Sequence, residues 1–343
     1  MNTQLVDLSR LQFALTVGFH MLFPAITVGL SLLLVVLYGT YLRTKQHVYL
    51  IMYRFWRNIF AVGFGLGVVA GIVITFEFGL NWAGYANAVG PIVGVIISME
   101  VITAFFLEAG FLGIMLYGEG RVSQRTIFIA NCMVALGTLL STTWILSANS
   151  WMQTPAGYAE VNGQFRPTNW LAAIFNPSFF YRYPHMLLGV LISAAFLVTG
   201  IAAWYLLKRR HLEFARRTFS LGLGVIAILV PLQLFVGDSL AFAMESYEPP
   251  KMLAAEGNWN STNTGDYLFI ITDQQHQRNI VEIGIPFMGS ITWAHDFTFT
   301  RPVPGLQTVP LPLQPPMMFV FYGFHVMVYL ATLMFFVGFL SLL

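Results

Sequence analysis

The stretch that decides the fold is LQFALTVGFHMLFPAITVGLSLLLVVLYGTYL, residues 11–42, which contains no Asp, Glu, Lys or Arg. A helix needs about 20 apolar residues to cross a hydrocarbon core about 30 Å thick. This run is longer than that, and longer than the core of a signal peptide. No basic leader precedes it, so it reads as mature structure. Further apolar runs follow at 56–80, 91–118, 126–150, 182–207, 217–243 and 317–343. The expected fold is all-α: a polytopic transmembrane bundle of seven spans, with residues 1–343 forming a single membrane domain. Strands are not expected, because the apolar runs are continuous and lack the alternation of a membrane barrel.

The whole composition agrees. Of 343 residues, 57% are hydrophobic and 9% are charged, against roughly a quarter charged in a soluble domain. Mean hydropathy is +0.70. A net charge of +2 is too small to suggest nucleic acid. The one cysteine, Cys132, excludes an internal disulfide or a thiolate cluster. No Cys-x-x-Cys-His occurs for covalent haem attachment, and no Walker A motif for a P-loop. Gly65-x-Gly67-x-x-Ala70 superficially resembles a dinucleotide loop, but it lies inside a span with no strand before it. Gly67-x-x-x-Gly71 is better read as a site of close helix packing.

Basic residues orient the chain. Arg43, Lys45, Arg54 and Arg57 follow the first span, Arg121 and Arg125 the third, and Lys208, Arg209, Arg210, Arg216 and Arg217 the fifth. These connections hold 11 of the 17 Lys and Arg and only two acids, Glu119 and Glu213. By the positive-inside rule they face the cytoplasm, which places the N-terminus and the 244–316 loop outside. That loop is the longest, and long polar loops in compact proteins are often functional. The last span ends Gly-Phe-Leu-Ser-Leu-Leu without a basic anchor; the expectation is that the chain is truncated or that something else covers this end.

Ionisable residues inside spans are costly and mark function. They are His20 in span one, Glu77 in span two, Glu100 and Glu108 in span three, His185 in span five, Asp238 in span six and His325 in span seven, with Met327 beside it. Counted at 1.5 Å per residue, His20, Glu100, His185, His325 and Met327 fall in the outer half. No pair has the spacing of a zinc or di-iron site, whereas ligands supplied one per helix suit haem held between helices. The bland alternative is that each histidine merely hydrogen-bonds a neighbouring helix. On a regular helix Glu100 and Glu108 lie about 80° and 12 Å apart, a layout for a proton relay or for two separately satisfied carboxyls. Ser141 falls near the depth of Glu108. In the outer loop, Lys251 and Glu256 form either a grip on a quinol head group or a solvated surface pair.

These residues resemble subunit I of the cytochrome bd quinol oxidases. The match runs through Ser9-Arg10-Leu11-Gln12-Phe13-Ala14-Leu15 with His20, Phe76-Glu77-Phe78-Gly79-Leu80-Asn81-Trp82, and Glu100 with Phe105-Phe106-Leu107-Glu108. It continues in the most specific stretch, Trp144-Ile145-Leu146-Ser147-Ala148-Asn149-Ser150-Trp151-Met152-Gln153-Thr154-Pro155, and in Gly237-Asp238 to Trp259. The short loop with Glu282-Ile283-Gly284-Ile285-Pro286 looks like the cyanide-insensitive branch.

The resemblance implies a terminal oxidase of the bacterial inner membrane that oxidises quinol and reduces O2 to water. Its implied cofactors are a low-spin haem b, a high-spin haem b and a haem d, and there is no sequence sign of copper. His185 and Met327 would be the axial ligands of low-spin haem b iron. His20 would ligate an active-site haem iron, Glu100 would stand at the other end of that site, and Arg10 would meet haem propionates. Glu108 and Ser141 would carry protons from the cytoplasm toward Glu100. Lys251, Glu256 and Asp238 would engage quinol. Implied partners are a similar-sized subunit II and a small single-span subunit. Two departures stand out. His325 occupies the place of a family arginine two residues before the ligand methionine, which makes it the rival ligand. The family chain also continues for two further helices, with a haem-ligating glutamate and a Gly-Arg-Gln-Pro-Trp motif that do not occur here. The alternatives are a haem b electron relay without oxygen reduction, a proton-coupled transporter, and a non-functional fragment.

Overall fold

The computed structural model describes residues 3–261, 265–292 and 297–341. Seven of its helical stretches are long and apolar enough to cross a membrane: Leu5–Thr44, His47–Gly79, Ala83–Tyr117, Gln124–Gln153, Phe179–Leu207, Leu212–Tyr247 and Leu311–Leu340. Each begins before its apolar run and ends within four residues of that run's end. Hydropathy marks the part of a helix that lipid can surround, not where the helix stops. The second span thus begins at His47 and carries Arg54 and Arg57 within its helix.

The chain divides into two compact units, Met1–Gln233 and Leu234–Leu343. The first holds α1 (Thr3–Leu22), α2 (Pro24–Thr44), α3 (His47–Gly79), α4 (Ala83–Tyr117), α5 (Gln124–Gln153), the hairpin β1–β2 (Tyr158–Val161, Gln164–Pro167), α6 (Trp170–Ile174) and α7 (Phe179–Leu207). The helix α8 (Leu212–Tyr247) passes from the first unit into the second. In the first span, Pro24 has no N–H to give the His20 carbonyl, so Phe23 supplies it at 3.2 Å and the helix breaks there.

The core of the first unit is built on α2, which packs on α3, α5 and α7. Leu30, Leu34, Leu37, Tyr38, Tyr53, Trp56, Phe60 and Val134 are almost wholly enclosed. Three of the basic residues are tied down within the unit. Arg54 and Arg57 both bind Glu119, at 2.6 and 2.7 Å, and the Arg217 guanidinium donates to the Tyr49 hydroxyl.

The second unit holds α9 (Pro249–Glu256), the antiparallel hairpin β3–β4 (Asp266–Asp273, Arg278–Ile285), α10 (Met288–Thr292) and α11 (Met317–Leu340). Its core gathers Met252, Leu253, Trp259, Ile270, Val303, Leu306, Met317 and Phe321. Buried Asn258 donates to the Val303 carbonyl at 2.9 Å and ties the connection after α9 to the segment before α11.

Strands were not expected, and among the described residues none lies in a span. Two hairpins nevertheless form between spans. Asn162-Gly163 closes β1–β2 with both residues at positive φ, 52° and 76°, the conformation a two-residue hairpin turn requires.

Candidate functional site

The span α4 is not a regular helix. Five-residue π-helical segments interrupt it at Gly90–Gly94 and at Val101–Phe105. The second lies between Glu100 and Glu108. A π-bulge inserts one extra residue, worth about 100° of helical rotation. It turns the expected offset of about 80° into about −20°, so the two carboxylates project from nearly the same face. The separation expected from a regular helix is thereby corrected.

Helix α5 supplies the opposing surface. The Ser141 hydroxyl donates to Glu100 Oε1 at 2.8 Å. Ser141 therefore serves Glu100, not Glu108, beside which its depth had suggested it would lie. Glu108 is buried, with 6% of its surface exposed, and it packs against Gly137. A Cβ at Gly137 would lie 2.4 Å from Glu108 Cγ, so only glycine leaves the carboxyl its place. Thr103, inside the π-helical segment, accepts from Trp144 Nε1 at 2.8 Å and pins the irregular turn to α5.

His20 lies against α3. A Cβ at Gly71 would come within 3.2 Å of His20 Cε1, and one at Gly67 within 3.3 Å of Phe23 Cβ, so the Gly67-x-x-x-Gly71 pattern lets both side chains pack closely on α3. The ring bonds to the Gly67 backbone, and its Nδ1 is buried without a partner. A buried nitrogen with no partner is costly, and it fits the residue type and setting of a haem ligand. Arg10, by contrast, is exposed and pairs with Asp7 at 3.7 Å.

His185 is held on α7, just after Pro184. The Gln233 amide nitrogen lies 3.2 Å from its Nδ1, 3.4 Å from its Nε2 and 3.1 Å from its backbone carbonyl, to which it donates. Arg182, one turn earlier, faces the same imidazole. The start of α7 is itself anchored by the Trp144–Pro155 stretch. Buried Asn176 donates to Ser150 Oγ at 2.9 Å and accepts from Thr154 Oγ1 at 3.1 Å. Thr154 bonds Ser178 at 2.7 Å, and Ser178 accepts from Arg182 Nε at 3.1 Å. The most specific stretch in the sequence thus fixes the helix that carries His185.

In the second unit, His325 and Met327 point to different sides of α11. His325 is 6% exposed, stacks on Phe321 with ring centroids 3.8 Å apart, and donates from Nδ1 to the Phe321 carbonyl at 3.0 Å. It also bonds to the Tyr267 backbone and faces Asp266. Its ring is engaged with the hairpin. Met327 is 44% exposed on the other side.

The loop residues expected to grip quinol have different neighbours. Lys251 pairs with Glu248 at 3.1 Å. Glu256, five residues on and about 140° around the helix, faces Asp266 and Glu245, and burial with those neighbours pushes its carboxyl up to about 8. Burial also raises Asp266, against the opposing pull of His325 and of a hydrogen bond from Thr292. Asp238 is exposed on α8.

Sequence reading missed Gln233, Asn176, Gly137 and Asp266 as partners of these groups. The strand pattern of Tyr267–Thr272 and the turn-forming Asn162-Gly163 were the available signals for the hairpins. Nothing local marks Gln233 or Gly137, because each meets its partner from another helix.

The model of the cytochrome bd terminal oxidase subunit I family matches residues 8–343. The chain belongs to the cytochrome bd terminal oxidase subunit I family. It is 36% identical over 310 residues to cytochrome bd-II ubiquinol oxidase subunit 1 of Escherichia coli, covering 89% of this chain and 60% of that protein. It is 32% identical over 339 residues to cytochrome bd ubiquinol oxidase subunit 1 of Bacillus subtilis, covering 94% of this chain and 70% of that protein. Among solved structures it is similar to the bd oxidase from Geobacillus thermodenitrificans, with a TM-score of 0.87 and 29% identity over 97% of this chain and 77% of that one. The chain therefore spans less than two thirds of the Escherichia coli relative's length. As a member of this family with seven membrane-type helices among its described residues, it is a multi-pass membrane protein.

Proposed function

We propose that this chain is the quinol-oxidising, oxygen-reducing subunit of a bacterial inner-membrane oxidase, working with a second subunit. The observation that carries the reading is the Glu100–Ser141 pair with Glu108 aligned behind it, in a chain of this family. The haems expected are low-spin haem b, high-spin haem b and haem d. His185 would hold the first. His20, with its unpartnered Nδ1, would hold an active-site haem with Glu100 at that site. On α11 Met327 would be the ligand; the reading over His325 is supported by the engagement of the His325 ring with the Phe321 carbonyl and the Tyr267 backbone. When bound, the haems supply the one-electron carriers and the iron at which oxygen is reduced.

The chain's own groups handle protons. Each quinol oxidised to quinone yields two electrons and two protons, and two quinols reduce one O2 with four protons to two waters. Glu256, held largely neutral at pH 7 when quinol is absent, stands on the loop where quinol protons leave. With the basic ends inside, Glu108 lies nearer the cytoplasm than Glu100. A proton reaching Glu108 passes along the same helix face toward Glu100, whose carboxylate the Ser141 hydroxyl stabilises between transfers. Uptake inside and release outside would build a proton-motive force without a pump.

The test is the reduced-minus-oxidised spectrum of the purified complex with its haems extracted and identified, alongside quinol-driven oxygen uptake. A chlorin band with two haem b signals and oxygen uptake is the expected result. A lone low-spin haem b without oxygen uptake would mean an electron relay instead.

A further inference from the structure

We propose that Gln233 is the positioning residue of His185: its side-chain amide fixes the plane and proton position of that imidazole, and so sets the potential of the haem His185 holds. The inference rests on the reading of His185 as a haem ligand. Three observations carry it. The Gln233 amide nitrogen touches the ring at both nitrogens, 3.2 Å from Nδ1 and 3.4 Å from Nε2. The same nitrogen donates to the His185 carbonyl at 3.1 Å. Its Oε1 is buried with no hydrogen-bond partner.

A buried amide oxygen left idle is costly, so an amide placed only to brace the helix would be worse than leucine. An imidazole that binds metal through one nitrogen carries its proton on the other, and that N–H needs an acceptor. The idle Oε1 is that acceptor, and rotation about the soft terminal torsion of glutamine brings it to the ring. The bond given up is to a carbonyl inside a regular helix, which already has its own N–H donor four residues on. Gln233 therefore suits both conditions of the ring, donating to a bare nitrogen and accepting from a protonated one. An acceptor on the distal nitrogen makes the ligand more basic and favours ferric over ferrous iron.

The experiment uses the assembled oxidase with all its subunits and compares Gln233→Leu, Gln233→Glu and His185→Ala. Readouts are the redox titration of low-spin haem b and its electron paramagnetic resonance g-values. Gln233→Leu, which removes the acceptor, is expected to favour the ferrous form about tenfold, raising the potential by about 59 mV for one electron. Gln233→Glu, nearly isosteric and a stronger acceptor, is expected to lower it by at least as much. Shifts of opposite sign from two replacements cannot come from general loosening of the helix pair. If both variants titrate like the wild type while His185→Ala loses the low-spin signal, Gln233 has no such role although His185 is the ligand. If His185→Ala keeps the low-spin haem, the ligand reading itself fails, and this inference with it.

Discussion

Replacing Gly137 with alanine tests whether Glu108 must stay where the π-bulge puts it. The added Cβ would lie 2.4 Å from Glu108 Cγ, 3.4 Å from its Cδ and 3.2 Å from the Ala104 carbonyl oxygen. Ordinary contact begins at 3.4 Å, so the first of these is about 1 Å too short. The conflict is with the middle of a buried side chain, not its flexible tip. Two responses are open. If α4 and α5 move apart, overpacking costs about 1–3 kcal/mol. If Glu108 swings aside instead, its carboxyl leaves the face it shares with Glu100. If Glu108 carries protons as proposed, the expected result is slower proton delivery with an unchanged haem spectrum. The assay is quinol-driven oxygen uptake at saturating quinol by the purified complex, beside its thermal unfolding midpoint. Gly110→Ala on α4 is the control, because a Cβ there meets nothing within 4 Å, and alanine improves helix propensity by about 1 kcal/mol. Expected are an uptake loss of at least tenfold in Gly137→Ala, matching Glu108→Gln, and an unchanged rate in Gly110→Ala. Wild-type uptake and an unchanged midpoint in Gly137→Ala would refute the argument.

Three further outcomes follow from the same geometry. Burial raises the Glu256 carboxyl from 4.5 to about 8, so the folded chain binds more protons than the unfolded one between those values. The stability this contributes is fully present below pH 4.5 and is lost as pH rises through about 8. Glu256→Gln should therefore flatten the fall in unfolding midpoint of the complex between pH 5 and pH 9; parallel curves would contradict the raised value. Met327→Ala should lose the low-spin haem spectrum while His325→Ala keeps it, and the reverse result would make His325 the ligand. Asn176→Ala removes donors to Ser147, Ser150 and Ala173 and an acceptor for Thr154; it should cost about 2–3 kcal/mol, read as a lower denaturation midpoint, and should loosen low-spin haem retention through the start of α7.

How far the sequence could be read depended on helix regularity. Spans are legible because lipid selects composition over some 20 residues at a time, and one charge more or less does not hide that signal. Side-chain direction is a finer quantity, and it fails at the first inserted residue. On α11, which is unbroken from Met317 to Leu340, two residues amount to about 200°. His325 accordingly enters the hairpin core while Met327 stays 44% exposed. On α4 the same arithmetic is wrong by one residue's rotation, because Val101–Phe105 is a π-helix. No residue in Val-Ile-Thr-Ala-Phe announces it; the bulge is held from outside, by Trp144 bonding Thr103 and by the room Gly137 leaves for Glu108. Partners across helices were hidden for the same reason. Gln233 is 48 residues from His185, Ser141 is 41 from Glu100, and neither spacing has meaning until the bundle packs. Chemistry-bearing residues are few here because each is costly in lipid. On α4 the two carboxyls flank a π-helical segment, and the next helix reaches them with Ser141 and makes room at Gly137.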